Sequence, residues 1–176
     1  SVIDFTHPAF KNEDGTTRIE AIYDLHEGGI EYNKEKINEA LKSNDPYSIV
    51  NSFDVSGHGT HVAGIACAGG QINKDYYGVA PKSSIVMVKL PRSHYAVSTF
   101  IMKGLKFLID KAKELKMPLV VNISLSTNDG AHNGSSLLEQ YISIISSLER
   151  VTIVTAAGNE GDVAHHISGD IDDINT

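Results

Sequence analysis

The sequence predicts an α/β protein built around a mostly parallel β-sheet with helices on its faces. Three short apolar runs rich in β-branched residues, at 85–88, 119–123 and 151–154, indicate buried strands. Between them lie two segments with apolar residues at helical spacing, 97–115 and 135–149. Because buried strands alternate with helices in parallel sheets covered on both faces, this order favours an α/β architecture.

The first part of the chain is richer in turns and polar residues. An Asp-Gly pair predicts a turn within 12–16. Residues 18–23 alternate between apolar and polar, which predicts a half-exposed strand. Residues 33–43 predict a polar surface helix with Asn33 as its cap. These elements precede the region that carries the chemistry.

Composition excludes several classes of function. The chain is 41% hydrophobic and 21% charged, as an ordinary globular protein is, and its formal net charge is −7. A net negative charge makes binding to nucleic acid or to an anionic membrane an unexpected role. No apolar run approaches the ~18 residues that a membrane span needs. Cys67 is the only cysteine, so no disulfide forms within the chain, and we expect it to be a small core residue.

The stretch from Gly57 to Gly64 carries the most specific chemical signal. His58 and His61 lie three residues apart among glycines, at the predicted start of a helix whose other residues are mostly apolar. That helix is expected to face a cleft or a core. Imidazole is the side chain best suited to move protons near neutral pH, so His58 is a candidate general base. Thr60 and His61 are candidates to fix the turn, and the glycines would let another chain approach closely.

Two other interpretations apply to the same histidines. One is a structural pair in a glycine-rich turn. The other is a zinc site in which His58 and His61 are completed by the pair at 165–166. Against zinc, no Glu follows His58 as in the zinc-protease pattern His-Glu-x-x-His. The two histidines would also lie about 300° apart around a helix, a less usual arrangement than i, i+4.

Two loops come directly after predicted buried strands. In parallel sheets, functional groups gather at the carboxyl ends of strands, which makes both loops candidate sites. The backbone of Ser124, Leu125 and Ser126 could pair with an extended peptide. Asn159, within 156–161, could donate its side-chain amide to a developing oxyanion. Taken singly, an ordinary strand exit and an Asn turn are the simpler explanations.

Taken together, these strings resemble the motifs of the subtilase (subtilisin-like) family of serine proteases, in the family's order and at plausible distances. Residues 57–64 are similar to its histidine motif, and 78–81 to the segment before a core strand. Residues 122–125 look like its substrate-binding strand, and 156–161 like its oxyanion segment. The resemblance implies a subtilisin-like three-layer fold with a mostly parallel sheet flanked by helices. It also implies a serine endopeptidase with an Asp-His-Ser triad.

The resemblance implies a role for each candidate residue. His58 becomes the general base, Asn159 the oxyanion donor, and Ser124, Leu125 and Ser126 the substrate-binding residues. It implies no metal in the active site and no required cofactor; calcium remains open, with no residues to assign it to. The implied partner is a protein or peptide substrate, with a partner subtilase or the remainder of the domain as further candidates. The implied location is secreted or spore-associated in a bacterium.

The family's aspartate motif, Asp-Ser/Thr-Gly-Ile-Asp-x-x-His-Pro, matches residues 1–8 from its second position. Asp4 then corresponds to the second aspartate, and the catalytic one precedes Ser1. Another register gives Asp4 the catalytic role but requires a deletion of four residues, so the first is favoured. The family's Gly-Thr-Ser motif has no match. We therefore expect 1–176 to be a partial catalytic domain, beginning just after the catalytic aspartate, ending before the serine, and inactive alone.

Finer features resemble a subgroup of the family. Residues 6–10, 12–19 and 127–132 look like clostridial subtilases, including the Csp proteases of spore germination. Two family glycines that line the substrate cleft are replaced here by Val2 and Ser126, whose side chains could narrow it. Germination subtilases include members that lost triad residues. The alternative prediction is therefore a catalytically degenerate subtilase that acts as a binding or regulatory module in spore germination.

Overall fold

A computed structural model describes residues 2–91, 97–125, 130, 132–149 and 151–163. The chain divides into two compact units, Ser1–Leu119 and Val120–Thr176. The first unit contains a 3-10 turn at Pro8–Phe10 and the elements β1 (Ile19–Asp24), β2 (Ile30–Asn33), α1 (Lys34–Leu41), α2 (Pro46–Ile49), α3 (His58–Cys67), β3 (Ile85–Lys89) and α4 (Val97–Leu115). The second unit contains β4 (Val120–Ile123), α5 (Leu137–Leu148) and β5 (Thr152–Thr155).

The sheet of the first unit has the order β2-β1-β3. Strand β3 runs parallel to β1, with Ile22 opposite Met87, whereas β2 runs antiparallel to β1. Most side chains of β1 are buried, because residues of the N-terminal segment and of α1 pack against them, and the prediction of a half-exposed strand is wrong on this point. Strand β2 was not predicted, because it is short, largely exposed and only weakly patterned.

The core of the first unit forms where the N-terminal segment, β1 and α1 meet. Helix α1 confirms the predicted surface helix, and the Asn33 side chain accepts a hydrogen bond from the Lys36 N–H as its cap. Buried side chains from these parts and from β2, α3, β3 and the residue after α2 make the core, namely Val2, Ile3, Phe5, Phe10, Ile19, Ile22, Tyr32, Ile37, Ala40, Val50, Cys67 and Ile85. The first residues of the chain are therefore part of its most buried region.

The second unit confirms the predicted strand-helix-strand order. Strands β4 and β5 are parallel, with Val121 opposite Ile153. Helix α5 begins with a capping box, in which the Ser136 hydroxyl accepts from the Glu139 N–H and the Glu139 carboxylate accepts from the Ser136 N–H. Two of the three strand pairings in the described structure are parallel, which agrees with an α/β fold. No helix in the described ranges is long and apolar enough to cross a bilayer.

Asp24 is a fully buried carboxylate at the end of β1. Its Oδ2 accepts from Lys89 Nζ at 2.8 Å and from the Ser52 hydroxyl at 2.7 Å. Burial alone would raise the pKa of this carboxyl. The hydrogen bonds from Lys89 and Ser52, with the Lys89 charge, outweigh burial and hold the pKa below its usual value.

We expect Asp24→Asn to destabilise the fold and to reduce its sensitivity to acid. A carboxyl whose pKa is lowered by folding stabilises the protein above about pH 4, and this stability is lost as the pH falls through the folded pKa. At pH 7 the change leaves Lys89 without its anionic partner, at a cost of about 3–5 kcal/mol. Urea unfolding followed by circular dichroism at pH 7 and pH 3 measures both effects.

Asp14→Asn is the matched control, because Asp14 is an exposed carboxylate in the 12–16 turn. This variant is expected to change the free energy of unfolding at pH 7 much less than Asp24→Asn does. Equal losses of stability for wild type and Asp24→Asn between pH 7 and pH 3 would show that Asp24 does not contribute to the acid sensitivity.

Candidate active site

Helix α3 begins at His58, directly after a glycine in the left-handed region. Gly57 has φ +74°, and a Cβ built on it would meet nothing within 4 Å. The requirement for glycine here is therefore conformational and not steric. Gly57 has no side chain to cap the helix, and the acceptor comes from an earlier residue. Asp54 Oδ2 accepts from the Thr60 N–H at 2.8 Å, as a cap residue would.

Thr60 links this helix start to the N-terminal segment. Its hydroxyl donates to Asp54 Oδ2 at 2.6 Å and accepts from the Asp4 N–H at 2.8 Å. The expectation that Thr60 fixes the turn is met by these bonds. For His61, the backbone N–H donates to the Gly57 carbonyl at 2.9 Å, and its side chain is exposed.

Gly59 is pressed against the same N-terminal segment. A Cβ at this position would lie 2.3 Å from the carbonyl oxygen of Val2 and 2.7 Å from its carbonyl carbon. Such distances are not sterically allowed, so the helix and the Val2 backbone touch only because residue 59 is glycine. The prediction that another chain approaches at the glycines is not met at Gly59, where the neighbour is the protein's own N-terminal segment.

Val2 does not narrow a cleft in the way its replacement of a family glycine suggested. Its side chain is fully buried and belongs to the hydrophobic core of the first unit. The apolar side chain therefore contributes to packing and does not project into solvent. The second replacement, Ser126, lies outside the described residues.

The Asp4 carboxylate accepts hydrogen bonds from residues close to it in the fold. Its Oδ1 accepts from the Thr6 N–H at 2.9 Å, from the Thr6 hydroxyl at 2.7 Å and from the Tyr47 hydroxyl at 2.9 Å. Burial alone would raise the pKa of this carboxyl, but these hydrogen bonds, helped by His7, lower it below its usual value. Tyr47 is in turn packed between the rings of Phe5 and Phe53, at centroid distances of 5.1 and 4.6 Å.

The rest of α3 is less enclosed than its apolar sequence predicted. Ala63 packs against the core and Cys67 is buried, as expected for a small core residue. Burial raises the pKa of the Cys67 thiol despite the nearby Arg18, which is a property of a packing residue and not of a nucleophile. Ile65, by contrast, is 62% exposed, and its carbonyl accepts from the N–H of Val79, which is also exposed.

The second unit brings the two other candidate segments together. The Ala156 N–H donates to the Ile123 carbonyl at 3.1 Å, so the residues after β4 and β5 leave the sheet at the same edge. Ser124 Oγ accepts from Asn122 Nδ2 at 2.8 Å, and Leu125 is 45% exposed.

Asn159 lies on the exposed turn after β5. It follows Gly158, whose φ is +96°, and its backbone N–H donates to Glu160 Oε2 at 2.9 Å. Its side chain is exposed there, at the carboxyl-end edge predicted to carry functional groups.

The zinc interpretation finds no support in the described ranges. They contain no group of three or more His, Cys, Asp or Glu residues placed to hold a metal ion. The histidines at 165–166 lie outside the described residues. Because the described residues contain no such group, no calcium ligands are assigned either, and a calcium requirement stays open.

Comparison with known proteins identifies the family. The profile of the subtilase family, peptidase S8, matches residues 1–173. The chain belongs to the subtilase family. It is 37% identical over 111 residues to a subtilisin from Bacillus sp. (strain TA39), which covers 61% of this chain and 25% of the subtilisin. It is 34% identical over 110 residues to thermitase from Thermoactinomyces vulgaris, which covers 62% of this chain and 36% of thermitase.

Solved structures of other proteins agree with this assignment. The structure of the Clostridium perfringens CspB protease matches with a TM-score of 0.91 and 64% identity, over 96% of this chain and 37% of the CspB chain. Sphericase matches with a TM-score of 0.58 and 29% identity, over 81% of this chain and 40% of its own. The fold is thus subtilisin-like, and the chain spans about a quarter to a third of the curated relatives' length.

Two residues of the site were not singled out from the sequence, Asp54 and Tyr47. Asp54 caps α3 from three residues before Gly57, where a search for Ser, Thr, Asp or Asn next to the first helical residue does not find it. Tyr47 reaches the Asp4 carboxylate across 43 residues of sequence. No local pattern predicts such a long-range contact.

Proposed function

We propose that this chain is part of the catalytic domain of a bacterial subtilisin-type serine endopeptidase. In this proposal His58 takes a proton from a serine hydroxyl as it attacks the peptide carbonyl, and then gives the proton to the leaving amine. The serine lies beyond Thr176, and the triad aspartate occupies the position before Ser1. Below, "full-length protein" means the longer polypeptide of this proposal.

The observation that carries the proposal is the attachment of the His58 turn to the N-terminal segment. Gly59 touches the Val2 backbone, and Thr60 accepts from the Asp4 N–H. This geometry supports a triad aspartate immediately before Ser1, next to the turn that presents the imidazole. Asp4 itself is less suited to the triad, because its Oδ1 accepts three hydrogen bonds from Thr6 and Tyr47.

The second unit supports the remaining roles. We propose that Ser124, Leu125 and Ser126 align an extended peptide by main-chain hydrogen bonds, and that Asn159 donates its amide to the tetrahedral oxyanion. The place of Ser124, Leu125 and Asn159 after the carboxyl ends of two adjacent parallel strands supports this assignment. One such donor lowers the barrier by roughly 3–4 kcal/mol, a value measured on the asparagine of subtilisin itself.

The natural partner in this proposal is a peptide or protein substrate, and no cofactor is required. The 64% identity to the Clostridium perfringens CspB protease supports a clostridial-type subtilase, either secreted or spore-associated. A partner subtilase or the remainder of the domain would complete the site. The alternative, a degenerate subtilase that acts as a binding module in germination, loses one of its two motivating observations, because Val2 lies in the core.

The experiment that tests the proposal compares peptide hydrolysis by the full-length protein and by the 176-residue chain. The full-length protein is expected to cleave a chromogenic peptide amide, whereas the 176-residue chain shows no turnover because it carries no nucleophilic serine motif. Robust hydrolysis by the pure 176-residue chain, abolished by His58→Ala, would contradict the prediction that residues 1–176 are inactive alone. Absence of hydrolysis by the folded full-length protein would instead favour the binding module.

A further inference from the structure

A single hydroxyl connects the start of α3 with the loop before it and with the N-terminal segment, which is far away in the sequence. Thr60 lies in the first turn of α3, Asp54 in the loop before it, and Asp4 in the N-terminal segment. The Thr60 hydroxyl donates to Asp54 Oδ2 at 2.6 Å and accepts from the Asp4 N–H at 2.8 Å. The Thr60 backbone N–H also donates to Asp54 Oδ2, at 2.8 Å.

The direction of these bonds follows from the chemistry of the groups. A carboxylate only accepts, so the hydroxyl proton of Thr60 is committed to Asp54. The hydroxyl oxygen is then left with lone pairs to accept from a backbone N–H, which only donates. Hydrogen bonds to a charged acceptor are shorter and stronger than neutral ones, which agrees with the 2.6 Å distance. Asp54 therefore orients the Thr60 hydroxyl, whose oxygen accepts the hydrogen bond from the Asp4 N–H.

The contact between Gly59 and Val2 does not by itself fix how the N-terminal segment lies along the helix. Gly59 brings the helix and the Val2 backbone together by van der Waals contact, which sets a distance without fixing a position along the segment. The Thr60 bond supplies the direction, because a hydrogen bond weakens steeply when its geometry departs from linearity. His58 is two residues before Thr60 on the same turn, so the Thr60 bond also fixes the position of the His58 backbone, which carries the imidazole.

We propose that Thr60 and Asp54 are positioning residues for the peptidase reaction, holding the His58 turn in register with the N-terminal segment. This inference rests on the proposed function, in which that segment carries the triad aspartate. Neither residue touches the reacting atoms. Their effect is on the alignment of the imidazole, and a misplacement of about 1 Å costs on the order of 10²-fold in rate.

The test compares Thr60→Val with Thr60→Ser in the full-length protein. Valine keeps the shape of threonine and removes the hydroxyl, whereas serine keeps the hydroxyl. We expect Thr60→Val to lower kcat for a peptide substrate by about 10- to 100-fold with KM within about twofold. Thr60→Ser is expected to retain kcat within about threefold. A merely structural role would not produce a kcat loss that the hydroxyl alone restores.

Asp54→Ala and the double variant Asp54→Ala/Thr60→Val complete a double-mutant cycle. Asp54 also caps α3 through the Thr60 N–H, but it reaches the N-terminal segment only through the Thr60 hydroxyl, so the double variant is expected to be no slower than Asp54→Ala within about threefold. Additive losses in kcat would overturn the link between them. Should Thr60→Val fail to fold, Thr60→Ala takes its place, and hydrogen exchange at the Asp4 amide reports whether the bond is lost.

The outcomes separate this inference from the proposed function. Equal kcat for Thr60→Val and Thr60→Ser, in an enzyme whose turnover depends on His58, overturns the positioning role and leaves the peptidase assignment in place. A change in KM alone overturns it as well. Absence of His58-dependent turnover in the unmodified full-length protein overturns both.

Discussion

Replacing His58 by alanine in the full-length protein is expected to lower kcat/KM for a peptide substrate by about 10⁴- to 10⁶-fold. In the proposed mechanism, the serine hydroxyl then has no base to accept its proton, and the leaving amine has no acid to supply one. The upper end of this range is close to the loss of about 2 × 10⁶-fold in kcat measured for the histidine of subtilisin itself. Steady-state hydrolysis of a chromogenic peptide amide measures the loss, with circular dichroism to establish that the variant is folded.

His61→Ala is the matched control for this experiment. His61 lies on the same helix and presents an exposed imidazole, while its backbone N–H bond to Gly57 is independent of the side chain. We expect this variant to keep kcat/KM within about threefold of wild type. Equal losses for the two variants, or less than a tenfold loss for His58→Ala, would contradict the role assigned to His58.

Replacing Gly59 by alanine is expected to produce the largest loss of stability among single methyl additions to α3. The new Cβ would lie 2.3 Å from the Val2 carbonyl oxygen, and a backbone atom cannot rotate away as a side chain would. The helix and the N-terminal segment must move apart, at a cost of about 3 kcal/mol, near the upper end for overpacking. The chain has no tryptophan, so urea unfolding is best followed by circular dichroism.

Gly64→Ala provides the comparison on the same helix. A Cβ there meets nothing within 4 Å, and alanine is the better helix former. This variant is therefore expected to gain about 0.5–1 kcal/mol in free energy of unfolding. If Gly59→Ala were as stable as Gly64→Ala, the close contact between α3 and Val2 would not exist in solution.

Much of the fold follows from local sequence patterns. The spacing of apolar residues predicted α4 at the bounds that the structure gives, and Asn33 was correctly predicted as the cap of α1. Strand β2 could not be predicted in the same way, because a four-residue exposed edge strand depends on its pairing with β1. The burial of β1 also depends on tertiary structure, since its side chains pack in the core with residues of the N-terminal segment and of α1.

In the candidate site, too, the residues of a local motif could be predicted, whereas their partners from elsewhere in the fold could not. The glycine-rich histidine motif indicated His58 and Thr60 because its residues are adjacent in sequence. Asp4 reaches the turn from the N-terminal segment, and Tyr47 in turn binds the Asp4 carboxylate, so both contacts depend on the fold. Asp54 reaches the turn from the loop before it. The role of Val2 was misjudged for a related reason. Whether a side chain enters a cleft or a core depends on the packing around it, and here Val2 is covered completely.

The proposed function requires that His58 activates a nucleophilic serine in the full-length protein by accepting its proton. Covalent labelling with an organophosphate tests it most directly, because such reagents phosphorylate a serine that has been activated by a neighbouring base. Mass spectrometry is expected to find one label per molecule, on a serine outside residues 1–176, and at least a thousandfold slower labelling in His58→Ala. No label on the folded wild-type protein, or equal labelling rates in the two proteins, would contradict the account.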